Sequence, residues 1–218
     1  MAQTPLNGLR LYGVAAFDSA HHQPLAEGTS LVHFRAIAGI VAPAKYHRET
    51  TGEHETSDYT RVLEEVQAIT TVLPAPQGTV FKGRDNLSRW LELHYFTLTQ
   101  ALSSIEGHGQ ARLTITKTAG IDAADASPGE LKESSKQLLA TAAQSMRVLR
   151  GQAAATVSLP VPEDDTHIVA HASFLVDLEQ WAVFNDLVRR EDTRHTSLDF
   201  HLSGPWPPYD FVRMQFGG

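Results

Sequence analysis

The side chains best suited to chemistry in this sequence are its eleven histidines and the carboxylates near them. His167 and His171 stand four apart in an alternating apolar stretch, so they share one face of a strand. At strand rise they lie roughly 13 Å from each other. Two ligands of one zinc ion each sit about 2 Å from the metal, so this pair cannot share an ion directly. His201 belongs to another strand, and the three read as neutral hydrogen-bonding groups on a polar sheet face. A denser cluster, His47, Glu49, Glu53, His54, Glu55 and Asp58, has ligand types that suit a cation. Its spacing matches neither an EF-hand nor a zinc pattern, and it reads as a solvated charged loop. Asp164-Asp165 and Asp177 with Glu179 supply carboxylates, but nothing in the sequence brings a nucleophile and a base together. There is no P-loop, no G-x-S-x-G elbow and no H-E-x-x-H. Gly107 and Gly109 lack the third glycine and the preceding strand of a dinucleotide site. The expectation is no catalytic residue, no cofactor and no metal.

Composition narrows the classes further. A chain of 218 residues, 42% hydrophobic, suits one large domain or two small ones. Its charge of −7, without a Lys/Arg block, argues against nucleic-acid or anionic-membrane surfaces, which need clustered cations. The absence of cysteine removes disulfides and thiol chemistry and points to a reducing cytoplasm. Met1–Gly8 lacks the charged and apolar regions of a signal peptide, and no apolar run approaches a membrane span.

The elements that must position these residues fall into two halves. Leu9–Phe17 reads as a first strand with little strict alternation, followed by a turn over Asp18–Pro24. Ser30–Val41 is β-capable, either two strands or one with a bulge at Gly39, and Pro43 is expected to end it. Lys45–Ser57 reads as a loop. Ser57 or Asp58 then caps a helix with Tyr59, Val62, Leu63, Val66 and Ile69 on its apolar stripe. Pro74 and Pro76 interrupt Thr70–Leu73 before Gly78-Thr79-Val80-Phe81 resumes it, an edge strand or a strand with a bend. Asp85 opens a long helix through Leu87, Trp90, Leu91, His94, Leu98, Leu102 and Ile105, and Gly107 or Gly109 stops it at the expected domain boundary.

The second half alternates more clearly. Ala111, Leu113 and Ile115 mark a half-buried strand. Ser127-Pro128-Gly129-Glu130 has the form of a capping box opening a helix with Leu131, Leu138, Leu139, Ala142, Met146 and Leu149 on one face. Strands follow at Ala155–Leu159 and Ile168–Leu178, then a short helix with Trp181, Phe184, Leu187 and Val188 inward, and a last strand at Leu198–Leu202. This β-α-β-β-α-β order is that of the ferredoxin-like fold. Arg112, Thr114, Thr116, His167, His171, Ser197, Asp199 and His201 would then line the face away from the helices. The fold class is α+β, with an N-terminal domain over 1–107, the ferredoxin-like domain over 108–203 and a tail over 204–218.

That tail opens with Gly204-Pro205-Trp206-Pro207-Pro208-Tyr209-Asp210-Phe211. Three prolines fix their own φ, offer no N–H, and push the residues before them toward extended geometry. The result is a stiff aromatic spur that orders at low entropic cost. It serves either as a clasp over the domain junction or as a partner-binding edge, through Trp206, Pro207, Pro208, Tyr209 and Phe211.

Gly204–Tyr209 resembles the C-terminal signature of the gas vesicle protein L/F (GvpL/GvpF) family. Leu11-Tyr12-Gly13-Val14 looks like that family's first strand. Val72-Leu73-Pro74 followed by Gly78-Thr79-Val80-Phe81 is similar to its central "LP…FGTVF" element, which adds Gly78, Thr79 and Phe81 to the candidate site. Pro76-Gln77 departs from a common Arg-Phe pair, and Asp210 from a frequent Ser. The resemblance covers about Leu11–Val212 and leaves the L and F branches open. It implies a two-domain α+β accessory or minor structural protein of gas vesicle assembly, cytoplasmic and vesicle-associated. The implied partners are the small hydrophobic shell protein and other accessory proteins, and the implied chemistry is none. Two other readings compete. A small-molecule enzyme using the open sheet face needs a deep pocket around Thr114, His171 and His201. A metal-binding module would use the His47–Asp58 loop.

Overall fold

The computed structural model describes residues 7–17, 26–46, 53–118, 128–161, 165 and 167–211. It is an α+β protein with two antiparallel sheets and four helices. The chain divides into two units, Met1–Glu106 with Pro207–Gly218, and Gly107–Trp206.

The first unit contains β1 (Gly8–Ala16), β2 (Ser30–Phe34), β3 (Ile37–Ala44), α1 (Glu53–Gln67), β4 (Val72–Pro74), β5 (Val80–Phe81) and α2 (Arg84–Ile105). Its sheet runs β2-β3-β1-β4, and β5 also pairs with β1. Gly13–Ala15 of β1 pairs with β4 and Leu9–Arg10 with β5, so the two short strands are one edge interrupted at its prolines. The bend stays tied to β1, because Ala75 N–H donates to the Tyr12 carbonyl and Leu11 N–H to that of Thr79, both at 2.9 Å.

Ser30–Val41 forms two strands joined at Arg35-Ala36, with Arg35 at φ 53°. The bulge lies in β1 between Leu11 and Gly13 rather than at Gly39. A side chain at Gly39 would come within 3.2 Å of Leu11 and 3.3 Å of Leu87, so glycine there lets α2 approach the sheet. Pro43 does not end β3, which continues to Ala44 against β1 alone. Among the described residues no strand lies on its other edge past Val41, so the missing N–H leaves no ladder bond unmade there.

The two helices of this unit cover opposite faces of the sheet. Ile40 packs with Val62, Leu63 and Val66 of α1, while its neighbour Gly39 faces Leu87 of α2. Helix α1 begins at Glu53, earlier than the expected cap at Ser57 or Asp58. Carboxylates suit a helix N-terminus, and Glu55 in the opening turns is held by an ion pair to Arg10. Ile69, expected on the buried stripe, lies past the end of α1 and is 62% exposed. In α2 the cap position is Gly83, and Asp85 sits in the first turn. Leu87, Leu91, Leu98, Leu102 and Ile105 form its buried stripe.

The second unit contains β6 (His108–Lys117), α3 (Pro128–Arg150), β7 (Ala155–Ser158), β8 (Ile168–Asp177), α4 (Trp181–Arg194) and β9 (Leu198–Trp206). Its sheet order is β7-β8-β6-β9. Here α3 and α4 share one face. Leu138, Ala142, Met146 and Leu149 meet Phe184 and Val188 over Ala111, Leu113, Ile115 and Phe174. The Phe174 and Phe184 rings lie 5.4 Å apart. Leu139, expected inward, is exposed, because one residue along a helix turns the side chain away from the Leu138–Ala142 stripe. Helix α4 runs fourteen residues and is longer than the short helix expected.

On the other face Thr114 stands between His171 and His201, Arg112 between Ser173 and Ser203, and Thr116 beside Asp199. Strand β9 continues through Gly204 and Pro205 to Trp206, which pairs with Gln110. The strand therefore takes in the first three residues of the expected tail, Gly204 to Trp206. Being an edge strand, β9 tolerates the proline. Gly204 has φ 128°, and a side chain there would approach the Trp181 ring to 2.8 Å.

Candidate functional site

After Trp206 the chain turns into the first unit. Pro207 and Pro208 are buried, and a tight turn follows, with Tyr209 N–H donating to the Pro207 carbonyl (2.7 Å) and Phe211 N–H to that of Pro208 (3.2 Å). The turn seats Tyr209 at the end of a ladder of three tyrosine rings. Tyr209 lies 6.1 Å from Tyr59 of α1, and Tyr59 lies 6.4 Å from Tyr12 of β1. Ring pairs at such separations contribute about 0.5–1.5 kcal/mol each beyond the area they bury.

The hydroxyls anchor the ladder to its surroundings. Tyr12 donates to Asp58 Oδ2 at 2.7 Å, and Tyr59 donates to the Ala75 carbonyl in the β4–β5 bend. Asp58 Oδ1 accepts from Arg61 at 2.7 Å, and Arg61 also reaches Glu65 at 2.7 Å. Burial, reinforced by the Asp58 carboxylate, pushes the Tyr12 phenol up to about 12. Burial, with Tyr209 alongside, raises Tyr59 as well. Burial alone would raise Asp58, but hydrogen bonds from Arg61 and Tyr12 outweigh it and hold the carboxyl below its usual range. Near neutral pH Tyr12 and Tyr59 are protonated and Asp58 is charged, an arrangement that locks side chains together.

The other expected site residues are placed as follows. Trp206 is half-buried and its indole N–H donates to Ser203 Oγ at 3.2 Å. Phe211 is half-buried. Gly78 has φ 80°, the left-handed geometry that favours glycine in a turn. Thr79 donates its hydroxyl to the Pro76 carbonyl at 2.6 Å, and the Phe81 ring lies 5.7 Å from Trp90. Gly78, Thr79 and Phe81 thus shape the β5 edge, whereas Tyr209 joins the ladder through Tyr59.

Residues of the competing readings are spread out. A depression of about 490 Å³ lies along α4, and one of about 210 Å³ lies beside Ala16, Ile37 and Thr70. Neither is lined by Thr114, His171 or His201. In the His47–Asp58 stretch, Glu55 is engaged by Arg10 and Asp58 by Tyr12 and Arg61. His47 and Glu49 lie outside the described residues. Among those described, no three His, Asp or Glu side chains gather to hold a metal. No helix among them is long and apolar enough to cross a membrane.

One feature of α2 escaped the sequence reading. Leu93 and Phe96, three residues apart on the helix surface, are 78% and 72% exposed. Arg89, Glu92, Thr97 and Gln100 frame them, all exposed. The available signal was two large apolar residues on the polar side of an otherwise regular stripe.

The sequence matches the family described as gas vesicle synthesis protein GvpL/GvpF over residues 8–157 and 130–213. It is 22% identical over 198 residues to gas vesicle protein F1 of Halobacterium salinarum, covering 88% of this chain and 84% of that protein. Gas vesicle protein F2 of the same organism is 23% identical over 194 residues, with 85% and 81% covered. The fold is similar to the crystal structure of gas vesicle protein GvpF from Anabaena sp. PCC7120, with a TM-score of 0.74, 19% identity and 97% and 98% of the two chains covered. GvpF from Microcystis aeruginosa matches with a TM-score of 0.69, 17% identity, and 95% and 100% covered.

Proposed function

This chain belongs to the gas vesicle synthesis protein GvpL/GvpF family, and from that premise we propose that it is a non-catalytic accessory or minor structural protein of gas vesicle assembly. Membership establishes a role connected with gas vesicles. The finer reading is that the chain holds the hydrophobic shell protein, together with other accessory proteins, in the cytoplasm beside the growing vesicle. The second unit is read as a ferredoxin-like domain, supported by its β-α-β-β-α-β order and its β7-β8-β6-β9 sheet. Pro207, Pro208 and Tyr209 are read as an internal clasp, supported by the burial of both prolines and by the tilted Tyr59–Tyr209 ring contact.

With Tyr209 engaged against Tyr59, the apolar surface read as meeting a partner is the outer face of α2. The observation that carries this is the adjacent pair Leu93 and Phe96 at 78% and 72% exposure. A single exposed leucine is ordinary, but two large neighbours on one helix face make a small anchor surface. A shell subunit exposes apolar surface before it assembles, and such an anchor can cover part of it. The test is co-purification of the shell protein with the wild-type chain and with a Leu93→Ser/Phe96→Ser double variant. Loss of capture in a variant with an unchanged melting temperature is expected. Undiminished capture would exclude this face.

A further inference from the structure

In sequence, Arg189-Arg190-Glu191-Asp192-Thr193-Arg194 looks nearly balanced in charge. Folding separates the signs. Glu191 is 5% exposed and accepts from the buried Ser145 hydroxyl of α3 at 2.6 Å. Asp192 turns toward β9, where its Oδ1 accepts the Phe200 N–H at 3.0 Å. The three arginines are left outward on one stripe with Asp186 and Thr193, lining the shallow depression of about 490 Å³. Asp186 is the acid that remains among them, and it reaches Arg189 only at 3.9 Å. Arg194 stays 3.7 Å from Glu191, whose other oxygen is taken by Ser145. Among the described residues Arg190 has no ion pair.

We propose that this face of α4 is a docking site for a short acidic peptide segment of a partner protein. Three guanidinium groups spread over about 7.5 Å of helix axis match two or three carboxylates on an adjacent turn or strand. Each can bind a carboxylate in a forked, charge-assisted geometry, which makes arginine better suited than lysine to this task. The overall charge of −7 decides between polyanions. A long nucleic acid would extend beyond the patch into repulsive surface, whereas a short acidic peptide spans the patch alone. The site is in the second unit and stands independently of shell-protein capture by α2.

Fluorescence anisotropy with labelled hexaglutamate at low ionic strength tests this on the full chain. Saturable binding that weakens as salt is added is expected, with no binding of a labelled neutral hexaserine. Arg189→Ala/Arg190→Ala should weaken binding roughly tenfold while keeping the wild-type melting temperature, since both side chains are exposed. Arg194 is left in place because it neighbours the buried Glu191. The proposal is overturned by an absence of saturable binding, by equal affinity in the double variant, or by tighter binding of a hexathymidylate strand.

Discussion

The two sheets of this protein are covered in different ways. In the first unit a helix lies on each face, so β1 is buried along most of its length and residues pointing either way meet close packing. In the second unit both helices lie on one face, and the other carries Thr114, His171 and His201. The first arrangement restricts side-chain size on both faces. A Cβ at Gly13 would meet the Leu73 carbonyl at 2.8 Å and Leu63 at 3.1 Å. The second leaves one face free to be polar and concentrates apolar contacts on the other. The tail adds to the contrast, since Tyr209 completes a tyrosine ladder in the first unit.

The largest effect should come from the one-sided core. Phe174→Ala removes a fully buried ring packed at a tilt against Phe184 and should cost about 3–5 kcal/mol in denaturant unfolding. A loss below 1 kcal/mol would show that this core repacks readily.

The contrast between faces sharpens next. Gly13→Ala, on the α1 side of the first sheet, should cost about 1–3 kcal/mol through overpacking. His201→Ala, on the polar face of the second, should stay within about 0.5 kcal/mol, because His201 is exposed. Equal effects in the same assay would erase the distinction.

The last effect is chemical. Tyr12→Phe removes the hydrogen bond to Asp58 and should cost about 1–3 kcal/mol at neutral pH, toward the lower end because Asp58 is half-buried and also held by Arg61. It should also change the alkaline limb of stability. Folding raises the Tyr12 pKa from 10.0 to about 12, so the native state holds this proton more tightly than the unfolded chain. The resulting stabilisation is complete below pH 10 and is lost as pH climbs through 12. In Tyr12→Phe that part of the alkaline decline should disappear, as followed by denaturant midpoints across pH. All five tyrosines belong to the first unit, so their absorbance during such a titration reports on that unit.

The same difference in cover explains what was legible in the sequence. Ala111-Leu113-Ile115 and the Ile168–Leu178 run alternate cleanly because only one face is packed against helices, and those strands were read correctly. In β1, burial on both faces removes alternation, so neither its bulge nor the face taken by each helix could be read from its residues. The prolines of the tail announced stiffness. They carried no sign that Tyr209 would meet Tyr59, a contact 150 positions distant made by folding alone. Glu191 reads as a solvated helix residue until Ser145 is seen opposite it. Leu93 and Phe96 were passed over because the inward stripe already accounted for a regular amphipathic helix.

The proposed α2 docking face depends on Tyr209 being engaged inside the first unit, against Tyr59. Tyr209→Ala, measured for both melting temperature and shell-protein capture, tests this most directly. The predicted result is a melting temperature lower by roughly 2–8 °C, with capture per folded molecule unchanged. An unchanged melting temperature with capture lost would contradict it and return the tail to the role of docking surface.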